Sequence, residues 1–108
     1  MAPRFDSFAE FWPFYVREHR HPLNRALHFI GTLSVLACVG IACTVGPGWV
    51  AALAPICGYG AAWFGHFVIQ KNRPATFRHP FYSLLGDFVM CACIVTRRMS
   101  RELEKSVQ

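Results

Sequence analysis

Five histidines, His19, His21, His28, His66 and His79, are the residues of this chain best suited to chemistry. Neutral imidazole is a good ligand for iron, zinc, copper or nickel. Carboxylate ligands are scarce: Asp87 is the only acidic residue between Glu18 and Glu102. A carboxylate-bridged di-iron centre needs several acids and is disfavoured. The spacing of the histidines is informative. His28 lies 19 residues before Pro47 and His66 lies 19 residues after it, so a hairpin turning at Pro47 would bring both to one level. His19 and His28 are nine apart and would occupy opposite faces of an unbroken helix, so they converge only through a break at Pro22. His21 and His28, seven apart, would share a face in any case. His21 alone also reads as an ordinary hydrogen-bonded side chain at an interface.

The elements that would position these rings are marked by where charge is missing. From Ala26 to Gln70 the chain runs 45 residues without Asp, Glu, Lys or Arg, with Gly46-Pro47-Gly48 at its centre. One bilayer crossing takes about 20 apolar residues, so two antiparallel spans are expected, 23–44 and 49–70. Pro22 suits the first position of a helix, Pro55 predicts a kink, and Gly58, Gly60, Ala61, Ala62 and Gly65 would allow helices to approach closely. Ahead of the hairpin, Phe5, Phe8, Trp12 and Tyr15 recur at steps of three and four. That pattern predicts an amphipathic helix over 5–20 lying at an interface, with Ser7 and Glu10 as a capping box and Pro13 kinking or restarting it. A third apolar segment, Phe81–Thr96, has 16 residues with Asp87 near its middle. It predicts a third helix over 80–104, partly or fully spanning, that ends in a basic tail. The expected fold class is all-α: a small helical membrane protein forming a single membrane domain over 1–108.

Composition agrees with this reading. Of 108 residues, 54% are hydrophobic and 16% charged. The net charge of +5 does not point to nucleic acid, because the basic residues flank apolar segments: Arg17, Arg20 and Arg25, then Lys71, Arg73 and Arg78, then Arg97 onward. Such flanking charge orients membrane proteins with the positive side inward, which predicts termini and histidines on the cytoplasmic side. Asp6 and Glu10 precede any apolar run, so no signal peptide is expected. The five cysteines, Cys38, Cys43, Cys57, Cys91 and Cys93, lie in apolar runs, form no C-x-x-C pair and read as buried, inert, small apolar side chains rather than a disulfide framework.

Two stretches, EHRHPLNRALHFIGT and GYGAAWFGHFVIQKNRPATFRHPFYSLLGDF, resemble a family of small membrane proteins that includes iron-dependent 2-hydroxy-fatty-acid dioxygenases of alpha-oxidation. The likeness covers about residues 7–95, carried by His19, Asn24 and His28 with the downstream pairs Gly65-His66 and Pro74-Ala75. It implies a helical membrane protein that uses Fe(II) and O2 to shorten a 2-hydroxy fatty acid by one carbon. Position by position, it implies His19, His28 and His66 as iron ligands, with catalytic roles, and His79 as a weaker fourth. Asn24 and Asn72 match polar positions that orient ligands or substrate, and Lys71 or Arg73 would meet the substrate carboxylate. Gln70 stands where the family commonly has glutamate. Two other readings remain open: a haem-binding membrane electron carrier with His28 and His66 as axial ligands, and a non-catalytic scaffold or lipid-binding protein.

Overall fold

The chain enters its first helix through the expected cap. Ser7 Oγ accepts the Glu10 N–H at 3.2 Å, and the Glu10 carboxylate reaches back to the Asp6 N–H at 3.3 Å. Helix α1 (Phe8–Arg17) follows. A computed structural model describes residues 4–74 and 77–106, and among these every regular element is helical. The expected unit 1–108 and the Pro74-Ala75 pair therefore each extend beyond the described residues. Pro13 neither breaks nor restarts α1; it sits on the exposed side, where the missing N–H deprives only one carbonyl of its donor. The helix is shorter than 5–20 because the chain becomes extended before Pro22, as residues preceding proline tend to do. His21 has φ −75° and ψ 126° there.

Pro22 opens α2 (Pro22–Thr44), with the His21 side chain capping it by accepting the Leu23 N–H at 3.1 Å. The helix closes at Gly46, whose N–H returns to the Ile41 carbonyl at 2.8 Å with φ +70°. The returning arm has three parts: a 3₁₀ turn over Gly48–Ala52, helix α3 (Leu53–Phe64) and a π-helical turn over Gly65–Gln70. Pro55 does not kink it. It lies in the first turn of α3, where no intrahelical N–H is lost, and the irregularity sits at the two ends of the arm instead. Small residues make the contact between the arms: a methyl group at Gly31 would lie 3.2 Å from Ala61 Cβ. Each arm, Pro22–Thr44 and Gly48–Gln70, has 23 residues, and mean hydropathies of 2.0 and 1.3 make both long and apolar enough to cross a membrane.

The expected third helix is two. Helix α4 (Pro80–Val95) ends at Arg97, which takes φ +61°, and α5 (Met99–Ser106) turns back. Helix α5 is fastened to α1 by Trp12 Nε1 donating to Glu102 at 2.7 Å and by Arg17 donating to the Ser106 carbonyl at 3.2 Å. Phe11, Tyr15, Val16, Met90 and Met99 form the core between α1, α4 and α5. The α4 backbone comes close to α1 at Gly86, where a Cβ would lie 2.8 Å from the Tyr15 ring. Both ends of α4 lie at the histidine end of the hairpin. His79 packs on Phe5 and Phe11 at one end, and Arg97 shares a groove with Arg25 at the other. Its 16 residues measure roughly 24 Å, short of a crossing of about 30 Å. All five cysteines are free thiols, but only Cys91 is buried as expected; Cys43 is exposed and the other three half-buried, because the helix faces that carry them are not fully covered by another element.

Candidate metal centre

Three elements each deliver one imidazole to the same buried point. His19 follows α1, where the chain has left the helix, and its ring stacks on Tyr15 with centroids 4.0 Å apart. His28 lies two turns into α2, and the break at Pro22 is what lets it face His19. His66 is carried by the π turn. Such turns re-aim side chains and are frequent at functional sites. Gly65 is required beside it, because a Cβ there would lie 2.0 Å from Asn24 Oδ1. All three histidines are nearly inaccessible, at 1%, 4% and 2% exposure for His19, His28 and His66.

The hydrogen bonds settle which nitrogen is free. His19 Nδ1 donates to the Tyr15 carbonyl at 2.6 Å, His28 Nδ1 to the Asn24 carbonyl at 2.9 Å, and His66 Nδ1 to Asn72 Oδ1 at 2.8 Å. The Asn72 amide is itself oriented, since Nδ2 donates to the Glu18 carbonyl at 3.1 Å. Each partner is an acceptor without a proton, so each Nδ1 carries the hydrogen and each Nε2 presents a lone pair. The Nε2 atoms face one another. Those of His28 and His66 both lie 3.1 Å from that of His19, and the ligand nitrogens of all three fall within 4.8 Å of one another. The rings meet nearly edge-on, at 77–88°.

Three lone pairs converging with no proton between them repel unless a cation sits among them. Two nitrogens each about 2.1 Å from a shared ion and roughly at right angles about it would be about 3 Å apart, close to the spacing seen. The donor set thus fits a metal held by three imidazoles, each tied behind by an acceptor, as metal-bound histidines usually are. His19 is suited to this: burial first, then the neighbouring rings, keep it well below its ordinary pKa and therefore neutral. Burial and the nearby Asp87 carboxyl raise Tyr15 well above its usual value, so the phenol stays protonated and donates its hydrogen to Asp87 Oδ1.

A family model described as 2-hydroxy-palmitic acid dioxygenase Mpo1-like matches residues 5–99. The chain belongs to the Mpo1-like family. Comparison with curated proteins and with solved structures finds no match.

The remaining residues singled out in this Mpo1-like sequence take other places. His79 does not join the three; its ring packs among Phe5, Phe11 and Tyr82 because α4 starts beneath α1. His21 caps α2. Asn24 and Asn72 hold His28 and His66 from behind. Lys71 and Arg73 line a separate surface groove with Phe67, Asn72 and Phe77, and the Arg73 guanidinium lies 5.1 Å over the Phe77 ring. Gln70 uses both ends of its amide. Oε1 accepts from the His21 N–H and Asn24 Nδ2, and Nε2 donates to the Glu18 carbonyl at 2.8 Å. An ionised glutamate has no such donor, so here the position clasps the end of α1 to both hairpin arms. The haem reading is not favoured: three rings converge rather than two, and the cavity beside them holds about 20 Å³, far short of a macrocycle.

Sequence reasoning missed Tyr15, Ser83 and Asp87 as walls of that cavity. The signal was present in Asp87, the lone acid of a long apolar region, and in Ser83 one helical turn before it. A second cavity of about 230 Å³ runs between α2, α3 and α4, lined by Thr32, Val35, Ala54, Gly58, Leu84 and Phe88 among others. It shares His28, Tyr59, Ala62 and Asp87 with the first.

Proposed function

We propose that this protein is a membrane-embedded, Fe(II)-dependent dioxygenase that shortens 2-hydroxy fatty acids by one carbon. The observation that carries this reading is the inward-facing set of three unprotonated Nε2 atoms, each ring tied from behind. Membership of the Mpo1-like family supports the reaction class. His19, His28 and His66 would hold the ion. Fe(II) bound there supplies the activation of O2, since three protein ligands leave coordination positions open.

The chain's own residues do the rest. The Tyr15 carbonyl, the Asn24 carbonyl and the Asn72 amide fix ring orientation and tautomer. Helices α1 and α4 cover the rings and exclude water. The apolar groove of about 230 Å³ receives the acyl chain next to His28. Lys71 and Arg73, at the same end, draw the anionic head group toward the site.

The hairpin is proposed to cross the bilayer. Only 17% of each arm's most apolar window is buried inside the protein, whereas a core helix of a water-soluble domain would be mostly covered. Ile30, Leu36, Ile56, Phe64 and Phe67 face outward, each more than half exposed. All 11 Lys and Arg lie outside residues 26–70, which supports a cytoplasmic location for the histidine end.

Anaerobic iron loading, metal analysis and O2 uptake with 2-hydroxy acids of several chain lengths test the proposal. Wild type is expected to retain iron and consume O2 with 2-hydroxy acids, and His28→Ala and His66→Ala to lose both. Unchanged iron in the two variants would overturn it.

A further inference from the structure

Several hydroxyl groups on the helices of this protein are satisfied by the backbone of their own helix. Ser34, Thr44 and Thr96 each return the hydroxyl to the carbonyl four residues back, at 2.7–2.8 Å. Ser83 does not. Its residue is 6% exposed and its Oγ has no hydrogen-bond partner. Among the described residues only one other buried side-chain polar atom, Asn24 Oδ1, shares that condition. Ser83 forms part of the wall of the small cavity that the three metal-facing rings also line. A buried donor left without an acceptor is costly, and here it faces the space a substrate head group would enter.

Asp87 lies one turn further along the same face of α4 and borders both the small cavity and the apolar groove. One of its oxygens accepts the Tyr15 phenol. The other oxygen takes part in no described hydrogen bond and is available as an acceptor. Ser83 and Asp87 thus present a donor and an acceptor about one helical turn apart, in the order in which a 2-hydroxy acid offers its carboxylate, then its hydroxyl, then its chain. The groove beyond is apolar. Lys71 and Arg73, by contrast, line neither cavity.

We infer that α4 is the head-group reader: Ser83 Oγ donates to the carboxylate of the bound acid and Asp87 accepts from its 2-hydroxyl, which makes Asp87 the residue that selects 2-hydroxylated over plain fatty acids. This rests on the dioxygenase reading for its ligand class. Two carboxylates then share the site, and the two positive charges of a divalent ion held by the histidines offset them.

Equilibrium binding of 2-hydroxypalmitic and palmitic acid to the purified iron-loaded protein in detergent, under argon, tests this without turnover. Wild type is expected to prefer the hydroxy acid by about tenfold or more, the scale of one hydrogen bond to a charged group. Asp87→Asn still accepts from Tyr15 but turns its free end from acceptor to donor, and should bring the two acids within about twofold of each other. Ser83→Ala removes an atom that supports nothing in the fold; it should weaken both acids about equally, by roughly fivefold to tenfold, and leave the preference intact. Iron content and thermal unfolding serve as folding controls. Full preference retained in Asp87→Asn, or wild-type affinity in Ser83→Ala, would overturn the inference, as would equal binding of the two acids by wild type. If wild type discriminates and the variants behave as stated but no O2 is consumed with any 2-hydroxy acid, the dioxygenase reading falls and the head-group assignment stands.

Discussion

The two ends of the hairpin are held by different means. At the turn, Gly48–Ala52 buries no residue, and Val45 and Trp49 are 83% and 66% exposed. At the other end His19, Asn24, His28 and His66 are at most 4% exposed, and the imidazoles are tied to carbonyls and an amide drawn from α1, α2 and the segment after the π turn. The turn end leaves its geometry to its surroundings, whereas the histidine end is fixed by the protein itself. Substitutions of similar size should therefore have very unequal effects.

The largest is expected at Gly65. A Cβ there would lie 2.0 Å from Asn24 Oδ1, and Asn24 sits on the turn that orients His28. Gly65→Ala should cost about 3 kcal/mol or more and abolish metal retention, read by thermal unfolding in detergent and by metal analysis; a stable, metal-replete Gly65→Ala protein would dissolve the contrast between the ends. Next comes Asn72→Ala, which removes the acceptor behind His66. Chelator competition should show metal affinity reduced by about 10- to 100-fold while the helical content is kept. Gln70→Glu sharpens the point, because it deletes the donor to the Glu18 carbonyl and leaves the rings untouched. We expect about 1 kcal/mol of lost stability with iron content unchanged. Smallest is Gly40→Ala, four residues from the end of α2, where an added Cβ meets nothing within 4 Å. Unfolding should show a gain of up to about 1 kcal/mol and no change in metal binding.

Much of this was legible in the residues themselves. The uncharged run fixed the arms and their turn, and the proline at position 22 marked where the chain must bend for His19 to meet His28. The equal spacing about Pro47 placed His28 and His66 at one depth. Hydrophobic periodicity reports which side of a helix is apolar and says nothing about which neighbour covers it. That is why the residue pattern alone joins α4 and α5 into one helix, and groups His79 with the other histidines rather than with Phe5, Phe11 and Tyr82. The π turn has no local marker: GHFVIQ would suit an ordinary α-helix, and the wider winding arises from tertiary ties at Asn24, Gln70 and Asn72. The family resemblance marks Asn24 and Asn72 as polar positions, but that they steady rings emerges only from the fold. Their orientation depends on chain segments 46 and 54 residues away.

The wider winding between Gly65 and Gln70 makes the protein sensitive to length rather than to composition at one spot. An ordinary helix advances about 100° per residue. Inserting one more residue among Phe67, Val68 and Ile69 would exceed what the wide turn absorbs and rotate Asn72 by about 100° from the ring it steadies, even though no residue of recognised importance had been touched. An extra residue at the tip by Gly46 or Gly48 would merely loosen a connection. Insertions should thus be tolerated at one extremity of the rod and forbidden at the other.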